Sequence, residues 1–595
     1  MKLKKRILLS LCSFCFTVVT NPGLHAHSSS SESCEPEMCK ADFVVIGVGT
    51  AGGLMAKKLS DDKTTSVIAL HNGQNLTDDP LIKLSKNAKF TVLAALLGSP
   101  NPFANIPNIP PQIASTLALF FGPQHTGGVP FLYETGDSTP QAGADLRLIP
   151  WQLALPEGGA SSINAGAWCR GTNTVYSQWE SIAGPEWSAK RILKIYKKLE
   201  NYYGFTADSS QRGYHGPIDV LQAKHPSKLS KKFSRAIVRG LGVPYVLDYN
   251  DTFTPIGASK RVQMTQKAPH GRYRVSSATA FLNRHVMTPR GHGVNGRKLE
   301  VLFNSTALRV LWAGNKAIGV EFTQNGQIKQ VFAKKGVVVC AGLFSSSFLM
   351  HSGVGPSPLL NSLGIPVIFD NANVGQRLAD QQILPLVFLS NPNDSPPFNS
   401  KDVFASIAWL PSPLGDSSVR AFRFATSSQI PGITLALFDL VKPQSRGSIT
   451  INSANPLDPP VINLGILSNS NDLEAYQAAL SSYLTAINDT LHKIDPFYEL
   501  IFPDPTILND ALLTIRFIQE NIISAQCFQS HCLMAPLNQG GVVDSKGRVY
   551  GVQNLIVADN SVVPIPMDGT TMATGYLMAE NIARLLLKNT RDKGK

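Results

Sequence analysis

The sequence predicts an α/β protein with a Rossmann-like dinucleotide-binding core, and three observations lead there. Residues 41–46 form an apolar run of buried-strand length, followed directly by Gly47-Val48-Gly49-Thr50-Ala51-Gly52. Leu54 to Leu59 then has helical spacing and Thr65 to Leu70 reads as a second strand, which completes a βαβ unit. The chain has 595 residues, more than one compact core holds, so a second body of structure is expected beside this one.

The elements follow in order. Lys2, Lys4, Lys5 and Arg6 precede an apolar run from Ile7 to Val19, too short to span a bilayer, and Leu24-His25-Ala26 follows it. That is the order of a secretory signal peptide over residues 1–26, so the mature chain is expected to begin near His27 and to be exported, periplasmic or secreted. Residues 27–40 read as a Ser-rich linker. Of eight cysteines, Cys12 and Cys15 leave with the signal; Cys34, Cys39, Cys169, Cys340, Cys527 and Cys532 remain. In an oxidising compartment the close pairs Cys34/Cys39 and Cys527/Cys532 are candidates for bridges. Neither has zinc-ribbon spacing, so no metal site is expected.

From about Gly98 to Pro150 the chain is rich in Pro and Gly and reads as an insertion packed over the core. Helical pattern runs from Gln178 to Gly204. Leu299 to Leu311 and Ala317 to Phe322 read as paired strands, and Gly336 to Cys340 as another buried strand. A strand from Asn554 to Ala558 and a helix from Ala573 to Leu587 close the chain.

A hydrophobic content of 43% with 16% charged residues excludes disorder on a large scale. The net charge is +13, of which four cations belong to the signal, leaving 13 − 4 = +9. This excess is spread along the sequence. It suits an anionic surface, such as peripheral contact with a membrane, rather than a nucleic-acid groove.

The chemistry begins at Gly47, Gly49 and Gly52. Glycines at this spacing permit a tight turn and let backbone N–H groups approach a pyrophosphate at a helix N-terminus. The second strand should then end in an acid that bonds the adenosine ribose. His71 stands there instead, and a neutral imidazole has only one acceptor nitrogen. Asn72, Asp78 and Asp79 are alternative ribose partners.

Gly158-Gly159-Ala160-Ser161-Ser162-Ile163-Asn164, followed by Arg170-Gly171, Trp179 and Gly184-Pro185-Glu186-Trp187-Ser188, resembles the first signature of the glucose-methanol-choline oxidoreductases. Further landmarks follow in family order. These include His215-Gly216-Pro217, Arg272 to Ser277, Ala317 to Glu321, Lys442 to Gly447 and Pro456 to Pro460. Ala341 to Pro356 is similar to the second signature, with Ser346 where a proline is usual. Val374 to Asp380 is similar to a family segment in which Asn and His stand at the places of Arg377 and Gln381.

The resemblance covers roughly residues 41–590. It implies a Rossmann-like FAD-binding domain (41–220, 296–385 and 536–595) interleaved with an α+β substrate-binding domain (221–295 and 386–535). FAD is expected to be non-covalent, because members that link the flavin carry a histidine where this chain has Ile163. The cofactor-binding residues implied are Gly47, Gly49, Gly52, His71, Gly158, Gly159, Ser161, Ser162, Asn164, Leu308, Asp559, Gly569 and Thr571.

The implied reaction is hydride transfer from an alcohol, polyol or sugar-like substrate to flavin N5, with electrons passed on to a quinone or cytochrome. Family members use a histidine five residues before a Cys-x-Met sequence and a His or Asn ahead of the last helix. Aligning on Cys532-Leu533-Met534 puts Cys527 at the first position and Thr570 at the second, with Ser530-His531 in place of Gly-Thr. The catalytic candidates are therefore Cys527, His531 and Thr570. Two readings stand: an alcohol or polyol dehydrogenase that passes electrons to a quinone or cytochrome, and a flavin-binding protein with impaired catalysis that serves in binding or structure; His531 is the nearest replacement base.

Overall fold

Strand β1 (Lys40–Ile46) leads through the glycine turn into α1 (Thr50–Leu59) and out to β2 (Val67–Leu70). In the computed structural model, which describes residues 40–85, 133–251, 256–395 and 403–592, this unit is the centre of a seven-stranded sheet. The segments expected to be a signal and a linker, the pair Cys34/Cys39 and most of the Pro- and Gly-rich insertion lie outside the described residues.

The other strands are β3 (Leu299–Leu302), β4 (Ser305–Ala313), β5 (Lys316–Gln324), β6 (Gln327–Val339) and β7 (Leu555–Val557). Their order is β4-β5-β6-β1-β2-β3, with β7 also paired to β6. β1, β2, β3, β6 and β7 run parallel; β4 and β5 add an antiparallel flank. Phe43, Val44, Val45 and Ile46 are at most 4% exposed, as expected for a parallel strand covered on both faces.

Two strand expectations change. Leu299 to Leu311 divides into β3, which extends the parallel sheet beside β2, and β4, which turns away to pair with β5. Asn304, at φ 51°, lies between them and makes the turn in a left-handed conformation that suits asparagine. Gly336 to Val339 is the end of a 13-residue strand, not a separate one: β6 pairs with β5 through its first half and sits between β1 and β7 through its last residues.

The helical stretch expected from Gln178 is also two helices, Asn173–Ala183 and α2 (Ala189–Leu199). Gly184 (φ 85°) ends the first, and Pro185, which has no N–H to donate, starts the short turn between them. A further helix, α3 (Lys228–Leu241), is capped by the Ser227 hydroxyl and stopped by left-handed Gly242. The closing helix, α4 (Met572–Asp592), packs on α1.

A second seven-stranded sheet is antiparallel and joins pieces from far along the chain. Its order is 499–502, 382–389, 433–440, 422–430, 406–410 and 257–259, with 523–524 also paired to 382–389. One face packs on α3 and the helices of residues 470–494 around Phe233, Phe388, Phe424 and Phe438. The other carries Ile383, Trp409, Ala425 and Leu437 and packs on Ala167 and Cys169 from the first signature. The second sheet thereby roofs the turn that precedes α4.

The candidate bridge between Cys527 and Cys532 is absent, and both thiols are free. The Cys527 thiol lies by Thr571, whereas that of Cys532 is fully buried against Ser561. Non-reducing peptide mapping after alkylation in denaturant should therefore recover Cys527 and Cys532 as separately alkylated residues; a linked peptide would contradict this packing.

Candidate functional site

Two glycine turns meet back to back. Gly47 takes φ +85°, and a Cβ there would lie 2.5 Å from the Cys340 carbonyl oxygen. A Cβ at Gly52 would lie 1.8 Å from the Gly47 oxygen, and one at Gly159 (φ +54°) would lie 2.8 Å from the Gly49 Cα. Only hydrogen fits at these contacts. The Gly158 N–H donates to the Val48 carbonyl at 2.8 Å and locks the second turn onto the first.

The polar residues of the second turn are spent on shaping it. Ser161 Oγ donates to the Gly158 carbonyl (2.6 Å) and Ser162 Oγ to the Glu157 carbonyl (2.6 Å). Asn164 Oδ1 accepts from Gly166 N (2.9 Å) and Arg274 Nη1 (3.2 Å).

These turns open on a cavity of about 390 Å³. Of the expected cofactor residues, Gly47, Gly49, His71, Gly159, Leu308, Asp559 and Thr571 line it; Gly52, Gly158, Ser161, Ser162, Asn164 and Gly569 stand behind that wall. The N-terminus of α1 faces it with no side-chain cap and no acid in the first turn, an arrangement that leaves its positive end for an anion. Gln152 Oε1, His351 Nδ1 and Asn560 Oδ1 belong to lining residues and have no hydrogen-bond partner within the chain. Buried polar atoms are normally paired, so a polar ligand fits this cavity.

His71 is buried, and burial pushes its pKa down to about 4, against the Leu155 and Pro156 carbonyls that favour the cation. Its Nδ1 accepts from the Val48 N–H (3.4 Å), so the neutral ring carries its proton on Nε2. Where an acid would accept from a ribose, this residue holds the glycine turn.

One wall of the cavity is built around Asp559, whose Oδ2 accepts from Gly342 N (2.8 Å) and Ser345 Oγ (2.7 Å) and whose Oδ1 accepts from Ser561 N (2.9 Å). The turn before α4 is held by neutral groups. Gln381 Nε2 donates to the carbonyls of Val441 (2.9 Å), Met567 (3.2 Å) and Gly569 (2.8 Å), and Gln529 Oε1 accepts from Met567 N (3.0 Å). Asp568 accepts from Thr172 N (3.1 Å) and Thr172 Oγ1 (2.6 Å).

Cys527 and the Thr570-Thr571 pair are brought together here. The Cys527 thiol meets Thr571 and its N–H donates to Asp380 Oδ1 (2.8 Å), while Thr570 faces the Cys169 thiol. Burial, reinforced by Asp380, pushes the Cys527 thiol up to about 11. His531 is not brought to them. It is fully buried, its Nδ1 lies 2.9 Å from Ser346 Oγ, and burial pulls its pKa down to about 3. The loop does not carry it to the cavity lining; its ring is held at Ser346.

Two family models match this chain: the N-terminal GMC oxidoreductase model over residues 129–383 and the C-terminal one over residues 443–579. The chain belongs to the glucose-methanol-choline (GMC) oxidoreductase family. It is 28% identical to an uncharacterized GMC-type oxidoreductase of Mycobacterium tuberculosis, over 92% of this chain and 99% of the relative. It is 27% identical to an alcohol dehydrogenase [acceptor] of Pseudomonas putida, over 92% of this chain and 96% of the relative. Among solved structures, pyridoxine 4-oxidase from Mesorbium loti matches with a TM-score of 0.75 at 22% identity, over 92% of this chain and 99% of that one. Formate oxidase matches at 0.75 and 21%, over 93% and 99%. The two sheets are thus the FAD-binding and substrate-binding parts of a GMC fold.

Several departures from the GMC pattern become intelligible in the structure. Ser346 and His531, both unusual, are hydrogen-bonded to each other. Arg377 and Ser530 stand where Asn and Gly are usual and still adopt φ +60° and +69°, a strain of roughly 1–2 kcal/mol each. Gln381, in place of His, still binds the turn before α4.

Sequence reasoning missed Gln152, Phe344, His351, Gln526 and Asn560 as lining residues. Phe344 and His351 lie within Ala341 to Pro356, and Asn560 directly follows Asp559, so these three were within reach. Gln152 and Gln526 carry no local signal; they meet because the Gln526 side chain bonds the Gln152 N–H (3.0 Å) across the fold.

Glu157, directly before the second glycine turn, is 2% exposed; burial raises its carboxyl to about 7, partly offset by the Thr77 hydroxyl at 3.1 Å. Between the ordinary value of 4.5 and about 7 the folded chain holds a proton that the unfolded chain releases. Stability therefore falls as pH rises through that window, by about 3 kcal/mol in total. Glu157→Gln should be the more stable form at pH 8 and lose this slope, measured by urea unfolding from pH 5 to 8; an unchanged slope would contradict the assignment.

Proposed function

We propose that this protein is an FAD-dependent oxidoreductase that takes hydride from the carbinol carbon of an alcohol-type substrate and delivers electrons to a quinone or cytochrome. The observation that carries the reading is the pair of nested glycine turns opening on a cavity that Asp559 and Thr571 also line. Bound FAD supplies the hydride acceptor. Gly47, Gly49 and the start of α1 would receive the pyrophosphate, Leu308 and the His71 side of the cavity the adenosine, and Asp559 and Thr571 the flavin end. Ile163 is packed against Ile82 and offers no nucleophile, which supports non-covalent binding. The names of relatives support an alcohol: besides the Pseudomonas enzyme, an oxygen-dependent choline dehydrogenase of Brucella anthropi is 26% identical over 93% of this chain.

The weak point of the chemistry is the hydroxyl proton. A thiol raised to about 11 is almost wholly protonated at neutral pH and accepts nothing. Thr570 can donate one hydrogen bond but cannot store a proton. His531 is neutral and engaged with Ser346. A positioned general base contributes roughly 10²–10⁴-fold, so its loss slows oxidation while cofactor and substrate positioning remain.

That same observation favours a second reading, a flavin-binding GMC protein with impaired catalysis. Anaerobic stopped-flow bleaching against a panel of alcohols separates the two. Cys527→His should speed flavin reduction by roughly 10²-fold or more, and His531→Ala should leave the wild-type rate unchanged. Fast wild-type reduction abolished by His531→Ala would overturn the account of the proton. No bleaching in either the wild type or Cys527→His would favour the second reading.

A further inference from the structure

We infer that α3 and the loop packed on it form a docking surface for an anionic phospholipid membrane. Lys228, Lys231, Arg235 and Arg239 follow one another at spacings of three, four and four residues, which places them on one face of α3, and all four are exposed. α3 contains no acidic residue. Its other face is buried through Leu229, Phe233, Ala236 and Ile237. Lys232, four residues after Lys228 and three before Arg235, adjoins the stripe and is ion-paired with Asp394 and Asp495, which leaves it no free charge. Among the described residues none of the four stripe cations forms an ion pair.

The fold adds to this face what the sequence scatters. The Lys260 carbonyl accepts from Ser230 Oγ of α3 (2.7 Å), and Arg261 Nε donates to the Ala223 carbonyl just before it (3.1 Å). These two cations cover aromatic rings: Lys260 Nζ lies 5.7 Å from the Tyr245 ring centre and Arg261 Cζ 4.8 Å from that of Phe205. Tyr245 is 51% exposed and Phe205 44%. Arg235 and Arg239 act electrostatically on the Tyr245 phenol, so ring and stripe are one patch.

Charge of one sign with exposed rings among it is the composition of a membrane-surface contact. The cations meet anionic headgroups and the rings sit at headgroup depth. α3 itself presents cations alone, and Asp394 and Asp495 beside it are taken up by Lys232. Each Lys or Arg near such a surface raises partition by about fivefold. α2 provides an internal control: Lys190, Lys194 and Lys197 are exposed on it as well, and among the described residues no aromatic ring lies under any of them. The inference does not depend on the catalytic reading above.

The test is sedimentation of the flavin-loaded protein with vesicles of phosphatidylcholine alone and of phosphatidylcholine with phosphatidylglycerol. Binding is expected only with phosphatidylglycerol, and only at low salt. The change Lys228→Gln/Lys231→Gln/Arg235→Gln/Arg239→Gln should cut partition roughly 100-fold or more. Tyr245→Ser should weaken it, and Lys190→Gln/Lys194→Gln/Lys197→Gln on α2 should keep most of it. If the fourfold change unfolds the chain, Lys228→Gln/Lys231→Gln alone should still lose about 20-fold. Equal losses from α2 and α3 would reduce the effect to diffuse charge and overturn the proposal. So would absence of vesicle binding, including the case in which the protein is instead retained in a salt-dependent way by an acidic protein.

Discussion

The contact on which the site depends is that of one glycine backbone with another. Gly49 and Gly159 approach so closely that a Cβ on Gly159 would sit 2.8 Å from the Gly49 Cα, and Gly52 fits over Gly47 only without a side chain. From that approach follow the bond between Gly158 and Val48, the exposed start of α1 and the cavity in front of them. The serines and the asparagine of the second turn never need to reach a ligand; they hold a backbone that has no side chains of its own to hold it.

The wall that carries Asp559 is organised by buried polar groups, and both oxygens of Asp559 are answered. Asp559 gathers Gly342, Ser345 and Ser561, and Gln381 ties two carbonyls of the turn before α4, those of Met567 and Gly569, to that of Val441. Groups of this kind cost more to break than they contribute when made. This explains why the unusual residues occur as matched sets: Ser346 with His531, and a neutral glutamine where the family has histidine.

Much of the first half of this architecture was legible in the sequence because it is local. A strand, three glycines and a helix within twenty residues specify a βαβ turn by their spacing alone, and Asp559 follows its strand directly. The split of β3 from β4 and the length of β6 were not legible, since β-branched runs do not reveal where pairing changes partner. The second sheet unites residues 257–259 with 499–502, and no local pattern announces such pairings. The orientation of His531 was equally hidden, because it is decided by Ser346, 185 residues away. The cationic face of α3 looked diffuse for the same reason: Lys260, Arg261 and Tyr245 join it only through folding.

The central claim is that the glycine-walled cavity holds one FAD without a covalent link. The most direct measurement is the flavin released per chain when the purified protein is precipitated in acid and the supernatant is analysed by absorbance and chromatography. The account predicts about one FAD per chain in the supernatant and a colourless pellet. A protein purified without flavin that takes up none from added FAD, or a pellet that stays yellow, would contradict it.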